Sequence, residues 1–259
     1  LDRLPLLGNS ILQMEIGPRS VLPTETTVNT NALKPFFEVA ARAARENVQV
    51  CLLLSPHYFP DWAFRKWPDL KGCGRGFFKY CVHDPRAQAV IEKSLRAVIP
   101  LVRGTEALHS VVLSNEPEQG CWASNCILRT EWPRRLAKTF GTVAQMNAAW
   151  KTKYAAFADV PAPKDFTRPT ATPETLAFVR FSRSRFADFH RRMARVVREL
   201  APELPLHVKV MGFAEFENSA TYHSVDIEDF SRMSDYNGND AYDLPATPGD
   251  GLWAHAWWE

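Results

Sequence analysis

A carboxylic acid that directly follows a strand-like run is the side chain of this sequence best suited to chemistry. Glu116 and its neighbour Asn115 come immediately after the apolar stretch 109–114. Burying such a polar pair costs free energy unless the pair is used. One carboxyl group can protonate the leaving oxygen of a glycoside and later activate water, and a neighbouring amide can bond a sugar hydroxyl. The pair therefore predicts acid/base chemistry on a glycoside. The alternative is that Asn115 and Glu116 only cap the following segment.

Short apolar runs of strand length alternate with longer amphipathic stretches along the chain. The strand-like runs lie at 9–16, 48–54, 109–114, 206–211 and within 234–242. Helical spacing recurs at 31–46, 86–103, 130–140, 143–150, 173–200 and 226–232. Strands that alternate with helices indicate an α/β fold with a parallel sheet. We expect a single domain over residues 1–259, with a long insert at about 117–173 after the strand that carries Glu116.

Other polar and aromatic side chains also follow the predicted strands, where parallel barrels gather their active sites. They are Glu15, His57, Trp62, Trp122, Asp240 and Tyr242. His57 could contact a sugar hydroxyl, or could be a loop histidine bonded to the backbone. Trp62 and Trp122 could stack on a sugar face or pack between loops. Asp240 and Tyr242 could line the same pocket or serve only turn chemistry in their Asn- and Gly-rich stretch.

Composition argues against nucleic acid and membranes as partners and against a disulfide framework. Lys and Arg total 31 against 29 Asp and Glu, so charge gives no reason to expect nucleic acid or a membrane surface. No apolar run reaches the length of a membrane-spanning helix. The cysteines are five in number and irregularly spaced, which argues against a disulfide framework. Reduced thiols in a cytoplasmic setting are therefore the expectation, although a chain without an initiator Met leaves targeting open.

Four stretches together resemble the clan A glycoside hydrolases, and most closely the family 42 β-galactosidases. The fourth barrel strand of that clan typically ends in Asn-Glu, as Asn115 and Glu116 do here. Val48–Trp62 resembles the family's third strand and its Pro-x-Trp loop, and Tyr80–Pro85 resembles the segment before its third helix. Arg134–Trp150 is similar to the family's pattern of a helix, Tyr-Gly-Thr and Leu-Asn-x-Ala-Trp.

The resemblance implies a (β/α)8 TIM barrel, of which this chain covers roughly strands 2 to 6. It implies a retaining glycoside hydrolase acting on an oligo- or polysaccharide by double displacement, with Glu116 as acid/base. The nucleophile of such enzymes is a Glu at the end of strand seven, outside this chain, and Tyr242 could bond it. The chain alone is therefore expected to be inactive. A homo-oligomer is compatible with the resemblance.

Two departures from the family leave galactose specificity open. An Arg often found in the second strand is missing from Ile11–Met14, and a Trp expected shortly after Trp150 is replaced near Tyr154. Some members also hold a zinc ion with cysteines. Cysteines stand in comparable places here at Cys73, Cys81, Cys121 and Cys126. The close pair that zinc sites usually contain is absent, so ordinary thiols are favoured over a structural zinc and no cofactor is expected.

Two other readings compete with the glycosidase, one of them non-catalytic and one a different barrel enzyme. A non-catalytic carbohydrate-binding or scaffold protein could derive from the same barrel, and a strand-seven Glu in the full-length protein would argue against it. An aldolase-like barrel would need a Lys or a metal cluster at the strand ends. Lys209 lies in the middle of its predicted strand and fits that reading poorly.

Overall fold

Five parallel strands form one sheet in the order in which they occur along the chain. The computed structural model describes residues 10–71, 76–119, 126–163, 172–211 and 224–240, with backbone only for 239 and 240. The strands are β1 (Ile11–Glu15), β2 (Gln49–Leu53), β3 (Leu108–Asn115), β4 (Leu206–Met211) and β5 (Gly238–Asp240). The predicted α/β fold is confirmed, and this sheet is that of part of a (β/α)8 barrel. In the described ranges, β1 and β5 form its two edges.

Helices occupy most of the chain between the strands. They are α1 (Pro18–Val21), α2 (Lys34–Arg45), α3 (Asp61–Lys66), α4 (Pro85–Val102), α5 (Ile127–Phe140), α6 (Val143–Trp150), α7 (Pro173–Leu200) and α8 (Ile227–Met233). Short 3-10 helices lie at Thr30–Leu33, Pro68–Leu70 and Phe157–Asp159. None of the helices in the described ranges has the length and apolar character needed to cross a bilayer.

The two longest helices begin at capping residues that the sequence displays. Asp84 accepts a hydrogen bond from the Arg86 N–H at the start of α4. Thr172 accepts one from the Thr175 N–H at the start of α7. In both helices a proline occupies the first position, where its missing N–H costs nothing. These signals explain why both helices begin within a residue of the predicted start.

The sheet packs its larger apolar face against the helices. Alternate side chains of a strand point to opposite faces. One face joins the main core with the helices through Val50, Leu52, Val111, Leu113, Leu206 and Val208. The opposite face carries a small separate cluster of Cys51, Leu53 and Val112. In a closed barrel that second face is the interior.

Helix α5 is held on α7 by aromatic packing. Trp132 is almost fully buried, and its ring centroid lies 5.1 Å from that of Phe178 and 5.9 Å from that of Phe181. The indole Nε1 is buried and makes no hydrogen bond in the described part of the chain. Helix α5, the first helix after β3 in the described ranges, therefore rests on α7.

Two expectations from the sequence are wrong. Trp62 was expected in a loop, but it lies in the first turn of α3, which Pro60 caps and Asp61 opens with a favourable negative charge. The thiol of Cys126 was expected to be reduced, but Cys126 is disulfide-bonded, whereas Cys51 and Cys81 are thiols. The spacing of the cysteines along the chain did not reveal this disulfide.

Candidate active site

The predicted site residues that the structure describes lie at the carboxyl-terminal end of the sheet, where the parallel strands end. Glu15 ends β1, Asn115 ends β3 with Glu116 next, and the backbone of Asp240 ends β5. His57 follows β2 at the same edge. The active sites of barrels form at this edge. Trp122 and Tyr242, which were also predicted to contact substrate or its partner carboxylate, lie outside the described residues.

An irregularity in β3 sets the direction of Asn115. Val112 pairs with His207 and Asn115 pairs with Lys209, so β3 advances by three residues while β4 advances by two. This bulge leaves both Leu113 and Ser114 on the helix side, where Leu113 joins the main core and Ser114 bonds His190 of α7. Bulges next to active sites re-aim side chains in this way.

Glu116 adopts an uncommon backbone conformation directly after the bulge. Its φ is +41°, and its N–H donates a hydrogen bond of 2.7 Å to the Lys209 carbonyl oxygen. The residue is only 7% exposed. A positive φ in a residue other than glycine costs about 1–2 kcal/mol and persists where the surroundings enforce it, often at functional sites. The fold thus holds a mostly buried carboxyl group at the strand end.

A cluster of one carboxylate and two hydroxyl groups joins the end of β1 to the loop that follows β2. The Ser55 hydroxyl donates to Glu15 Oε2 over 3.0 Å, and the Tyr58 hydroxyl donates to Glu15 Oε1 over 3.3 Å. The Glu15 carboxylate raises the pKa of Tyr58 and keeps that hydroxyl protonated. Ser55 also has a positive φ of +40°. Sequence reasoning selected Glu15 by position and missed Ser55 and Tyr58, which no local pattern distinguishes from loop residues.

His57 presents an unused ring nitrogen beside this cluster. Its Nδ1 is buried and has no hydrogen-bond partner in the described ranges. The ring lies against Tyr58, with centroids 4.3 Å apart, and near Phe77 at 5.4 Å. Burial lowers the pKa of His57, against the opposing effect of Glu15. Burial therefore favours the neutral ring, and its contact with a sugar hydroxyl stays a prediction.

The indole N–H of Trp62 makes a hydrogen bond within the protein. The indole N–H donates a 2.9 Å hydrogen bond to the Leu22 carbonyl oxygen, and the ring lies 6.0 Å from that of Trp67. The side chain is half-buried and packs on the main core. These contacts fix the indole in place, and its stacking on a sugar stays a prediction.

Two neighbouring polar side chains are buried together, and one of them belongs to the loop that follows Glu116. His83 is 1% exposed and Gln119 is 0% exposed. Both ring nitrogens of His83 and both amide atoms of Gln119 lack a hydrogen bond of normal geometry in the described residues. Burial lowers the pKa of His83 to about 3, with Gln119 opposing that shift and Arg185 adding to it. Orphaned polar atoms of this kind are the ones that buried water molecules satisfy.

Acid should destabilise the protein through its buried histidines. An unfolded histidine titrates near pH 6.5, whereas folded His83 and His190 titrate at about 3 and 4 because burial disfavours the cation. The unfolded state therefore binds more protons below pH 6.5, and stability present at neutral pH is lost as pH falls toward 4. Each histidine contributes about 1.4 kcal/mol per pH unit in that window.

The measurement is the thermal unfolding midpoint of the full-length protein between pH 7 and pH 4.5. We expect the midpoint to fall less steeply in His83→Gln than in the wild type. Ser182→Ala, which changes a buried residue that does not titrate in this range, serves as control and should follow the wild-type slope. Equal slopes for His83→Gln and the wild type would contradict the assignment.

Cys126 does not fit the zinc site that the resemblance raised. Cys126 is disulfide-bonded, and a sulfur in a disulfide is not the thiolate that zinc binds. Cys81 is a buried thiol, while Cys73 and Cys121 lie outside the described residues. Within the described ranges no three His, Cys, Asp or Glu side chains are grouped to hold a metal.

Comparisons with solved structures show the same fold. The beta-galactosidase of Bacillus circulans sp. alkalophilus superposes with a TM-score of 0.77 at 17% identity, over 95% of this chain and 37% of its own. The apo exo-carrageenase of Bacteroides ovatus gives 0.73 at 19% identity, over 96% and 35%. The catalytic domain of a beta-amylase from Paenibacillus polymyxa gives 0.74 at 11% identity, over 95% and 74%. At these identities the likeness concerns the fold alone.

Sequence comparison identifies the family. A curated beta-galactosidase from Arthrobacter sp is 30% identical over 119 residues, which is 44% of this chain and 16% of that protein. The chain thus matches a small part of its relative's length. The sequence model of the family 42 glycoside hydrolases, described as beta-galactosidase, matches residues 19–256. Because this match covers most of the chain, the protein belongs to glycoside hydrolase family 42.

Proposed function

We propose that the full-length protein is a retaining, β-galactosidase-like glycoside hydrolase in which Glu116 is the general acid/base. The observation that carries this proposal is the placement of Glu116. Its mostly buried carboxyl group follows the bulge of β3, on a backbone with φ of +41°, at the edge of the sheet where barrels catalyse. Family membership supplies the substrate class, a carbohydrate.

The mechanism follows from the two tasks of one carboxyl group. Glu116 first protonates the glycosidic oxygen while a second carboxylate attacks the anomeric carbon and forms a glycosyl-enzyme. The Glu116 carboxylate then takes a proton from the water that hydrolyses this intermediate. In retaining enzymes the two carboxyl groups lie about 5 Å apart. We expect the second one on strand seven of the full-length protein.

The remaining candidates are proposed to recognise the sugar. Asn115 would bond the hydroxyl next to the reacting carbon, and His57 would use its unpaired Nδ1. Trp62 would offer a ring face, with Trp122 as a second aromatic platform. Asp240 stands at the end of β5 on the same edge. Tyr242 is proposed to bond the nucleophile.

The stereochemistry of the first product tests the proposal. The full-length protein is mixed with an aryl β-D-galactoside and the anomeric proton signals are followed by NMR. We expect the β-anomer to appear first and the α-anomer to grow only at the independently measured rate of mutarotation. An α-anomer that appears first would refute retention. Binding of β-galactosides without hydrolysis would support the non-catalytic alternative instead.

A further inference from the structure

The buried histidine of α7 lies directly behind the bulge that carries the proposed acid/base. His190 has no exposed surface. Its ring is surrounded by those of Phe186, Phe189 and Phe230, with centroid distances of 4.8, 5.1 and 4.8 Å. An apolar side chain would suit this environment, because burying an imidazole there costs free energy unless its nitrogens are bonded. The hydrogen bonds of His190 therefore need a reason.

Both ring nitrogens of His190 have partners, and the partners define the tautomer. Nδ1 lies 3.1 Å from the Phe186 carbonyl oxygen, which can only accept, so Nδ1 carries the proton and donates. Burial lowers the pKa of His190 to about 4, which leaves the ring neutral at neutral pH. Nε2 is then an acceptor, and the Ser114 hydroxyl donates to it over 2.7 Å.

Ser114 is the residue that the bulge turns toward the helices. It lies between Val112 and Asn115, within the step where β3 gains one residue on β4. Without the bulge, a strand residue after Leu113 would face the opposite side of the sheet. Its hydroxyl is fully buried, so the bond to His190 removes the cost of that burial. Ser114 is followed directly by Asn115 and Glu116.

We propose that His190 is a positioning residue for catalysis, which holds the β3 bulge through Ser114 and thereby aims Asn115 and Glu116. The inference rests on the proposed role of Glu116. His190 touches no substrate in this scheme. It acts through the backbone, because a register shift at Ser114 would rotate the two following side chains away from the substrate.

The experiment uses His190→Phe, Ser114→Ala and His190→Gln in the full-length protein. Phenylalanine fills the space among the three surrounding phenylalanine rings but cannot accept a hydrogen bond. The carbonyl oxygen of glutamine can replace Nε2 as the acceptor. We expect His190→Phe to lower kcat/KM by roughly 10- to 100-fold for β-galactosides with poor leaving groups. The loss should be smaller for 2,4-dinitrophenyl galactoside, whose departure needs little acid assistance. His190→Gln should recover most of the activity.

Two measurements separate positioning from mere folding. The alkaline limb of the pH profile of kcat/KM reports the pKa of the general acid. We expect the midpoint of that limb to shift in His190→Phe and in Ser114→Ala. Ser182→Ala is the matched control, because Ser182 also lies on α7 and also makes a buried 2.8 Å hydroxyl bond, to Ser224. It should change thermal stability without moving the profile. If His190→Phe does not fold, the same pH profile and leaving-group measurements on Ser114→Ala test the proposal.

The double variant His190→Phe/Glu116→Gln distinguishes this inference from the proposed function. If His190 acts through Asn115 and Glu116, His190→Phe should cause a smaller loss in the Glu116→Gln background than it causes in the wild type. Additive losses, or a loss in His190→Phe that is equal for all leaving groups, would overturn the positioning role and leave the role of Glu116 intact. A wild-type leaving-group dependence in Glu116→Gln itself would overturn the proposed function.

Discussion

Replacing Glu116 with glutamine in the full-length protein is expected to lower kcat/KM for galactosides with poor leaving groups by about 10²- to 10⁴-fold. Glutamine keeps the shape of the side chain but can neither donate an acidic proton nor accept one from water. Substrates whose leaving group departs without protonation should lose much less in the first step. Azide, which attacks the glycosyl-enzyme without a base, should restore turnover and yield a β-glycosyl azide.

Glu118→Gln is the control for this experiment, since Glu118 lies two residues further along the same loop. That variant should retain activity close to the wild type for both classes of leaving group. Equal losses in Glu116→Gln and Glu118→Gln would show that the loop is merely sensitive to substitution. Unchanged turnover of all substrates in Glu116→Gln would remove Glu116 from the mechanism.

Replacing Trp132 with alanine is expected to have the largest effect on stability, a loss of about 3–5 kcal/mol. The indole is almost fully buried between α5 and α7, where it contacts the rings of Phe178 and Phe181. Alanine would leave a cavity at the point where α5 rests on α7. The thermal unfolding midpoint of the full-length protein measures the effect.

Trp132→Phe is the matched variant. It keeps an aromatic ring in the site and removes an indole N–H that has no hydrogen-bond partner in the described part of the chain. We therefore expect a much smaller decrease in the midpoint than for alanine. A decrease of the same size in both variants would mean that the aromatic packing of Trp132 does not hold α5 in place.

Regular elements were predictable because their signals are local. Helix α7 spans Pro173–Leu200 and β4 spans Leu206–Met211, as the periodicity and the Pro173 start predict. Asn115 and Glu116 were predictable for the same reason, since an apolar strand that ends in polar residues is visible in the sequence. The roles assigned to the site residues remain predictions.

The parts that could not be predicted depend on pairing across the chain. The bulge in β3 exists only relative to its partner strand β4, so no pattern within β3 displays it. The bond between Ser114 and His190 joins residues 76 positions apart. The helical placement of Trp62 was missed because α3 is too short to show a clear apolar repeat.

The positive φ of Glu116 means that conformational stability and the proposed activity make opposite demands on this position. Glycine adopts a positive φ without the steric cost that a side chain imposes. At this position, glycine would therefore relieve backbone strain that glutamate retains. The same replacement would remove the carboxylate on which the proposed chemistry depends. In the proposed enzyme, that strain is the thermodynamic burden of keeping a reactive group in place.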